Sequence, residues 1–146
     1  MTTTPTVNGR VIGLAHYAGR AVLETVLARY GATFQQSVTL RLVAVAEAPV
    51  ERDALVAQVV GSLKADPADV YGVVDELIEK GLLEPAATQL RITDAGRKVY
   101  ETTAAETGEI SARIYAGIPA EDLAVAGRVL ALVTERADAE LAAMTK

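Results

Sequence analysis

Residues 66–83 carry a start signal, an apolar stripe and a stop signal in the order expected of one short helix. Asp66 can cap the helix N-terminus, and Pro67 suits the first helical position. The following apolar residues recur at helical spacing, namely Val70, Val73, Val74, Leu77 and Ile78. Gly81 then supplies the left-handed residue that commonly follows a helix. The segment therefore predicts a helix over Pro67–Lys80 with one buried face.

Short elements on both sides extend this helix into a larger unit. Residues 52–63 repeat apolar side chains at helical spacing, and the turn 64–66 separates them from the capped helix. Residues 82–83 and 90–92 are two short apolar runs with a polar patch between them, long enough only for a small β-hairpin. Helix, turn, helix and hairpin is the order of parts in a winged helix-turn-helix. The predicted fold class is mainly α with a small β-wing.

Two stretches of the sequence resemble the MarR family of bacterial transcription regulators. Val74-Asp75-Glu76-Leu77-Ile78-Glu79-Lys80-Gly81-Leu82 is similar to the second half of that family's recognition helix. Leu90-Arg91-Ile92-Thr93-Asp94-Ala95-Gly96 is similar to the strand that leaves the wing and enters the next helix. The resemblance implies a single domain over 1–146, with a winged helix-turn-helix at about 38–97 and dimerisation helices at about 9–36 and 98–146.

Longer helical patterns flank the winged module. On its N-terminal side we expect a helix from Gly9 to Tyr30, and a second helix over Val38–Glu47 that Ser37 caps and Pro49 ends. On its C-terminal side Thr93 is expected to cap a helix that runs to about residue 116.

A last helix follows Pro119 and carries a nearly heptad-spaced apolar stripe. Its members are Leu123, Ala126, Leu130, Val133, Ala137 and Leu141. Such a stripe must be buried against something. The resemblance implies that the terminal helices of two chains pack together as a homodimer, and the alternative is that they fold back onto the core of one chain.

Composition narrows the class of protein further. Apolar residues make up 51% of the 146 residues and aromatic residues only 4%, so Ala, Val and Leu must do the packing, which suits close-packed helices. The N-terminus lacks signal-peptide features, and no uninterrupted run of 18 apolar residues occurs. We therefore expect a cytoplasmic protein with no membrane partner.

Catalytic chemistry has little support in the sequence. Cysteine is absent and there is a single histidine. No metal-spaced cluster, Gly-rich phosphate loop or nucleophile elbow occurs. We expect neither an enzyme, nor a cofactor, nor a bound metal.

The charge distribution opposes DNA binding. The net charge is −5, and the segment 50–98 holds six basic and nine acidic residues. An acidic surface is repelled by a duplex. This leaves open an alternative in which the fold has lost operator binding and acts through protein–protein interaction.

Under the resemblance, the partner is double-stranded DNA with a palindromic operator. The residues predicted to contact it are Ala68, Asp69, Tyr71 and Gly72 in the reading helix, Gln89 and Arg91 in the wing, and Arg52 and Lys64 beside them. Tyr71 can donate to a phosphate, and Asp69 can accept from a cytosine amine. The alternatives are that Tyr71 is a half-buried surface ring, that Arg91 pairs with Glu84, and that Arg52 and Lys64 are solvated.

A second candidate site lies on the first helix. His16 and Arg20 are four residues apart and share a helix face beside Tyr17. Together with Arg97 they form a candidate site for a small carboxylate, and the resemblance implies an aromatic acid as effector. The alternative is that His16 faces a partner helix without any ligand.

Overall fold

The structure, a computed structural model, describes residues 4–145. Six helices and three strands lie within that range. In chain order they are α1 (Gly9–Ala28), α2 (Phe34–Ala44), β1 (Val50–Glu51), α3 (Arg52–Leu63), α4 (Pro67–Glu79), β2 (Leu83–Ala86), β3 (Gln89–Ile92), α5 (Asp94–Tyr115) and α6 (Ala120–Met144). The chain divides into two compact units, one that reaches Glu109 and one that starts at Ile110.

The helix-turn-helix is confirmed at the residues predicted for it. α3 occupies the expected range, and Asp66 caps α4 by accepting the Ala68 N–H at 2.8 Å. Lys64 ends α3 in the left-handed region, with φ of 55°. That conformation turns the chain sharply enough for α4 to start three residues later.

The wing is a three-stranded antiparallel sheet in the order β1-β3-β2. Leu83 pairs with Ile92, and Val50 pairs with Leu90. Strand β1 was not expected, because two residues are too short to show an alternating pattern. It closes the free edge of β3 and joins the start of α3 to the wing.

One core holds the winged module together. Its most deeply buried members come from α3, α4 and the strands, and include Val59, Val74, Leu77, Leu83 and Leu90. Val74 and Leu77 are both 0% exposed. The apolar stripe that predicted α4 is therefore its packing face.

The second helix starts earlier than the sequence suggested. Thr33, not Ser37, is its N-cap: the Thr33 hydroxyl accepts the Gln36 N–H, and the Gln36 side chain accepts the Thr33 N–H, both at 3.2 Å. This reciprocal capping box satisfies two backbone donors at once, which a Ser37 cap would not. Helix α2 also ends at Ala44, well before Pro49.

A buried polar side chain joins α2 to the end of α4. Gln36 is 3% exposed and donates to Glu76 Oε2 at 2.9 Å. Its own oxygen accepts from Lys80 Nζ at 2.9 Å, and Lys80 also donates to the Gly31 carbonyl. Because the buried amide has partners on both sides, it fixes where α4 ends relative to α2.

The wing passes into α5 through a tight contact. Thr93 caps α5 as predicted, accepting the Gly96 N–H at 2.9 Å, and it donates to the Gly81 carbonyl at 2.6 Å. A Cβ added at Gly96 would lie 2.1 Å from the Leu82 carbonyl oxygen. Glycine is required there by this close approach, not by an unusual backbone angle.

Unlike a core helix, α6 has no buried residue. Its apolar stripe is exposed and includes Leu130 at 40% and Val133 at 42% exposure.

α1 is long and apolar enough to cross a membrane by length and composition alone, with a mean hydropathy of 1.2 over 18 residues. One such helix is weak evidence for a membrane span, and 11% of its window is buried within the structure.

We predict that Gly96→Ala destabilises the protein by about 1–3 kcal/mol, because the new methyl group forces the Leu82 carbonyl aside. Gly108→Ala, in the same helix, meets nothing within 4 Å and should stabilise by about 0.5–1 kcal/mol. Urea unfolding followed by circular dichroism measures both. Equal effects at the two positions would contradict the close approach.

Candidate nucleic-acid interface

Helix α4 presents a continuous exposed face beside the wing. Its apolar side is used in the core, so the side opposite is left to solvent. The exposed residues there are Ala68, Asp69, Gly72, Asp75, Glu76 and Glu79. Three of the four residues predicted to read DNA, Ala68, Asp69 and Gly72, lie on this face, and Tyr71 is half-buried at its border.

The Tyr71 hydroxyl already has a partner within the chain. It donates to Asp53 Oδ1 at 2.6 Å, so the ring bridges α4 and the first turn of α3. The hydrogen bond to Asp53 raises the pKa of Tyr71 above its ordinary value of 10.0. Desolvation and the negative charge of Asp53 raise it further, whereas Arg52 lowers it.

Arg52 is held by the same surface. Its NH2 group donates to Asp75 Oδ1 at 2.5 Å, and its guanidinium lies 5.9 Å from the centre of the Tyr71 ring. Arg52 and Tyr71 are thus brought together, and each donates to an acid of the same chain. Their acidic partners, Asp53 and Asp75, were missed in the sequence. The available signal was that Asp75 stands one helical turn after Tyr71 and shares its face.

The wing tip is fixed to the start of α3. The Arg52 N–H donates to the Thr88 carbonyl at 3.2 Å, and the Thr88 hydroxyl donates to Glu51 Oε1 at 3.1 Å. Ala87 takes a φ of 57° in the two-residue turn. The wing is therefore short, and its tip is held next to Arg52.

Arg91 makes the ion pair foreseen as an alternative. Its Nε donates to Glu84 Oε1 at 2.9 Å, across the β2–β3 pair. Gln89, the other predicted wing contact, is half-buried. Lys64 is exposed beside the turn, and its Nζ donates to the Gly61 carbonyl at 2.6 Å.

The residues predicted to bind a ligand fall in two separate places. His16, Tyr17 and Arg20 are exposed on α1. The His16 and Tyr17 rings are 6.0 Å apart at their centres. Arg20 pairs with Glu24 at 2.5 Å and lies 4.2 Å over the ring of Phe34.

Arg97 instead lines an open cavity of about 280 Å³ between the end of α2, β3 and the start of α5. Arg91, Glu47 and Asp94 line it too, and His16, Tyr17 and Arg20 do not. A second, apolar cavity lies between Leu27, Leu40 and Tyr100, with a volume of about 10 Å³. That volume holds no more than one water molecule.

The arrangement of α3, α4 and the sheet is that of a winged helix-turn-helix protein. No family model matches the sequence, and no curated protein matches it. Solved structures do match. CouR from Rhodococcus jostii RHA1, bound to p-coumaroyl-CoA, is 20% identical with a TM-score of 0.73, over 86% of this chain and 90% of that chain.

Two further structures agree in fold. A MarR-family transcriptional regulator from Rhodococcus sp. RHA1 is 21% identical, with a TM-score of 0.71 over 86% of this chain and 92% of that one. The reduced form of MarR from E. coli is 18% identical, with a TM-score of 0.68 over 89% and 95% of the two chains. The chain has the MarR-type winged-helix fold, which confirms the fold implied by the sequence resemblance.

We predict that Asp53→Asn lowers the pKa of Tyr71 toward its ordinary value, because the amide no longer favours the neutral phenol by its charge. A raised pKa in the folded state contributes stability that is complete below pH 10.0 and is lost as the pH rises through the folded pKa. NMR titration of ring-labelled tyrosines measures the shift.

Tyr30 is the internal reference for this titration. Its pKa is also raised, by its hydrogen bond to Glu106 at 2.8 Å, so Asp53→Asn should leave it unchanged. A Tyr71 titration identical in the variant and the wild type would show that Asp53 does not hold the hydroxyl.

Proposed function

We propose that this protein is a cytoplasmic, homodimeric transcription regulator that binds a palindromic operator in double-stranded DNA through α4. The proposal rests on one observation. One face of α4 is buried in the core, and the opposite face is exposed beside the wing, whose tip is hydrogen-bonded to the start of α3. In winged helix-turn-helix proteins this is the element that enters the major groove. The matched regulators share the fold, which supports a regulatory role over an enzymatic one.

The proposed contact surface comprises the reading helix, the wing and their neighbours. On α4, Ala68 and Gly72 let the backbone approach the groove, and Asp69 accepts from a cytosine amine. Arg52, Lys64 and Tyr71 contact phosphates beside it. In the wing, Gln89 and Arg91 complete the surface.

Homodimer formation is supported by the exposed apolar stripe of α6. A helix of 25 residues with no buried residue leaves its apolar stripe in water, and association would remove that stripe from water, which is favourable. We propose that residues of about 98–146, with those of about 9–36, form the dimer interface around the winged module at about 38–97. The pairing would place two reading helices about 34–36 Å apart, one turn of DNA.

We propose in addition that a small aromatic or carboxylate effector changes this spacing. One matched structure, CouR, is described as bound to p-coumaroyl-CoA. Arg97 supplies a guanidinium to a cavity of about 280 Å³, close to the lower end of small-molecule sites. His16, Tyr17 and Arg20 form a second proposed contact region on α1.

For the dimer we predict a sedimentation mass twice the 15.3 kDa of one chain. Leu130→Glu, in the exposed stripe, should shift the protein to monomer because the new carboxylate is desolvated on association. Ala139→Glu lies on the opposite side of the same helix at 100° per residue and should leave the mass unchanged. A monomeric wild type, or equal effects of the two variants, would disprove this interface.

For DNA we predict that binding to duplexes from the gene's own upstream region weakens steeply as salt rises, because phosphate contacts release counterions. Lys64→Ala should reduce the slope of log affinity against log salt by about one, as expected for one phosphate contact. Tyr71→Ala should weaken binding while the dimer remains intact. Fluorescence anisotropy over a salt series measures all three.

One observation favours a second function. The exposed face of α4 carries Asp69, Asp75, Glu76 and Glu79, and a face of this charge suits a basic protein surface better than a phosphate backbone. Under this alternative the dimer has lost operator binding and acts through protein–protein interaction. Weak binding to every duplex, without dependence on salt, would support it over DNA binding.

A further inference from the structure

Three side chains of the proposed DNA surface share one property: each donates to a carboxylate of its own chain. Arg52 donates to Asp75 at 2.5 Å, Tyr71 to Asp53 at 2.6 Å and Arg91 to Glu84 at 2.9 Å. The three acids come from α4, α3 and β2. The three acids do not form one cluster, but each accepts a hydrogen bond from a different donor that a phosphate would otherwise use. We call Asp53, Asp75 and Glu84 the masking acids.

The two ion pairs are exposed enough to be broken by a competing anion. The side chains of Arg52 and Asp75 are 35% and 64% exposed, and those of Arg91 and Glu84 are 55% and 48% exposed. Exposed pairs of this kind contribute little to stability because water screens them. A phosphate can therefore take the place of Asp75 or Glu84 without any rearrangement of the core.

Displacement leaves a negative charge beside the phosphate, and this cost applies to DNA of every sequence. Binding to DNA of any sequence depends on phosphate contacts alone, whereas binding to an operator adds contacts to base edges. A repulsion added at the phosphates therefore weakens both complexes by about the same factor. Random-sequence DNA has no base contacts to offset this repulsion, so binding to DNA in general becomes weak while base contacts maintain binding to the operator.

We propose that Asp53, Asp75 and Glu84 suppress binding to DNA in general by occupying the hydrogen-bond donors of Arg52, Tyr71 and Arg91. The inference rests on the proposed function, because it needs α4 and the wing to face DNA. It accounts for a reading surface that contains the right donors and yet has no basic face.

The test measures affinity for a random-sequence duplex over a salt series. Asp75→Asn should raise that affinity about fivefold and steepen the salt slope by about one, because one guanidinium is freed for a phosphate. The triple variant Asp53→Asn, Asp75→Asn and Glu84→Gln should give a larger gain. Asn and Gln keep the shapes of the acids, and thermal melting checks that the variants are folded.

Glu79→Gln is the matched control for net charge. Glu79 is exposed one helical turn beyond Asp75 and makes no ion pair with any side chain in residues 4–145. The substitution Glu79→Gln removes one negative charge from the same helix without freeing a hydrogen-bond donor, so we expect the salt slope to be unchanged.

A double-mutant cycle separates unmasking from simple loss of charge. If Asp75→Asn acts by freeing Arg52, its gain must vanish in an Arg52→Ala background. A gain that persists there, or a triple variant that binds random DNA like Glu79→Gln, overturns the inference and leaves operator binding by the wild type intact. Absence of binding to any duplex by both the wild type and the triple variant overturns the proposed function as well.

Discussion

Burial of one face of α4 is the interaction on which the rest of the winged module depends. Val70, Val74 and Leu77 are at most 1% exposed, and they share one core with apolar side chains from α2, α3 and the strands of the wing. Loss of such contacts costs several kcal/mol per side chain, roughly 2–5 for a leucine cut to alanine. Because this face is committed to the core, the rotation of the helix is set, and the opposite face is exposed by geometry. The candidate reading surface is therefore a consequence of the packing.

Polar contacts then fix the ends of the elements that packing brings together. Buried Gln36 links the start of α2 to Glu76 and Lys80 at the end of α4. Thr93 donates to the Gly81 carbonyl, just after α4, while it caps α5. Both links converge on the C-terminal end of α4. A change in the position of α2 or α5 would thus be transmitted to α4.

Much of this fold could be predicted from single residues whose chemistry allows few alternatives. Asp66 before Pro67 and an apolar stripe located α4, and Thr93 located the start of α5. The start of α2 could not be placed, since Thr33 and Ser37 are both good caps and only the reciprocal bond of Gln36 decides between them. The ion pair between Arg52 and Asp75 was harder to predict than the start of α2. Whether Arg52 meets Asp75 depends on how α3 crosses α4, which local spacing does not encode.

The acidic residues of α3, α4 and the wing have structural uses that limit how basic this surface can become. Asp66 caps α4, and Asp69 lies in the first helical turn, where the helix dipole favours a negative charge. Asp53 orients Tyr71 between the two helices. Replacing these acids by lysine or arginine would strengthen attraction to phosphate at the expense of caps and contacts that hold the reading helix. An acidic winged helix can therefore bind DNA selectively only if base contacts supply the affinity that its phosphate contacts lack.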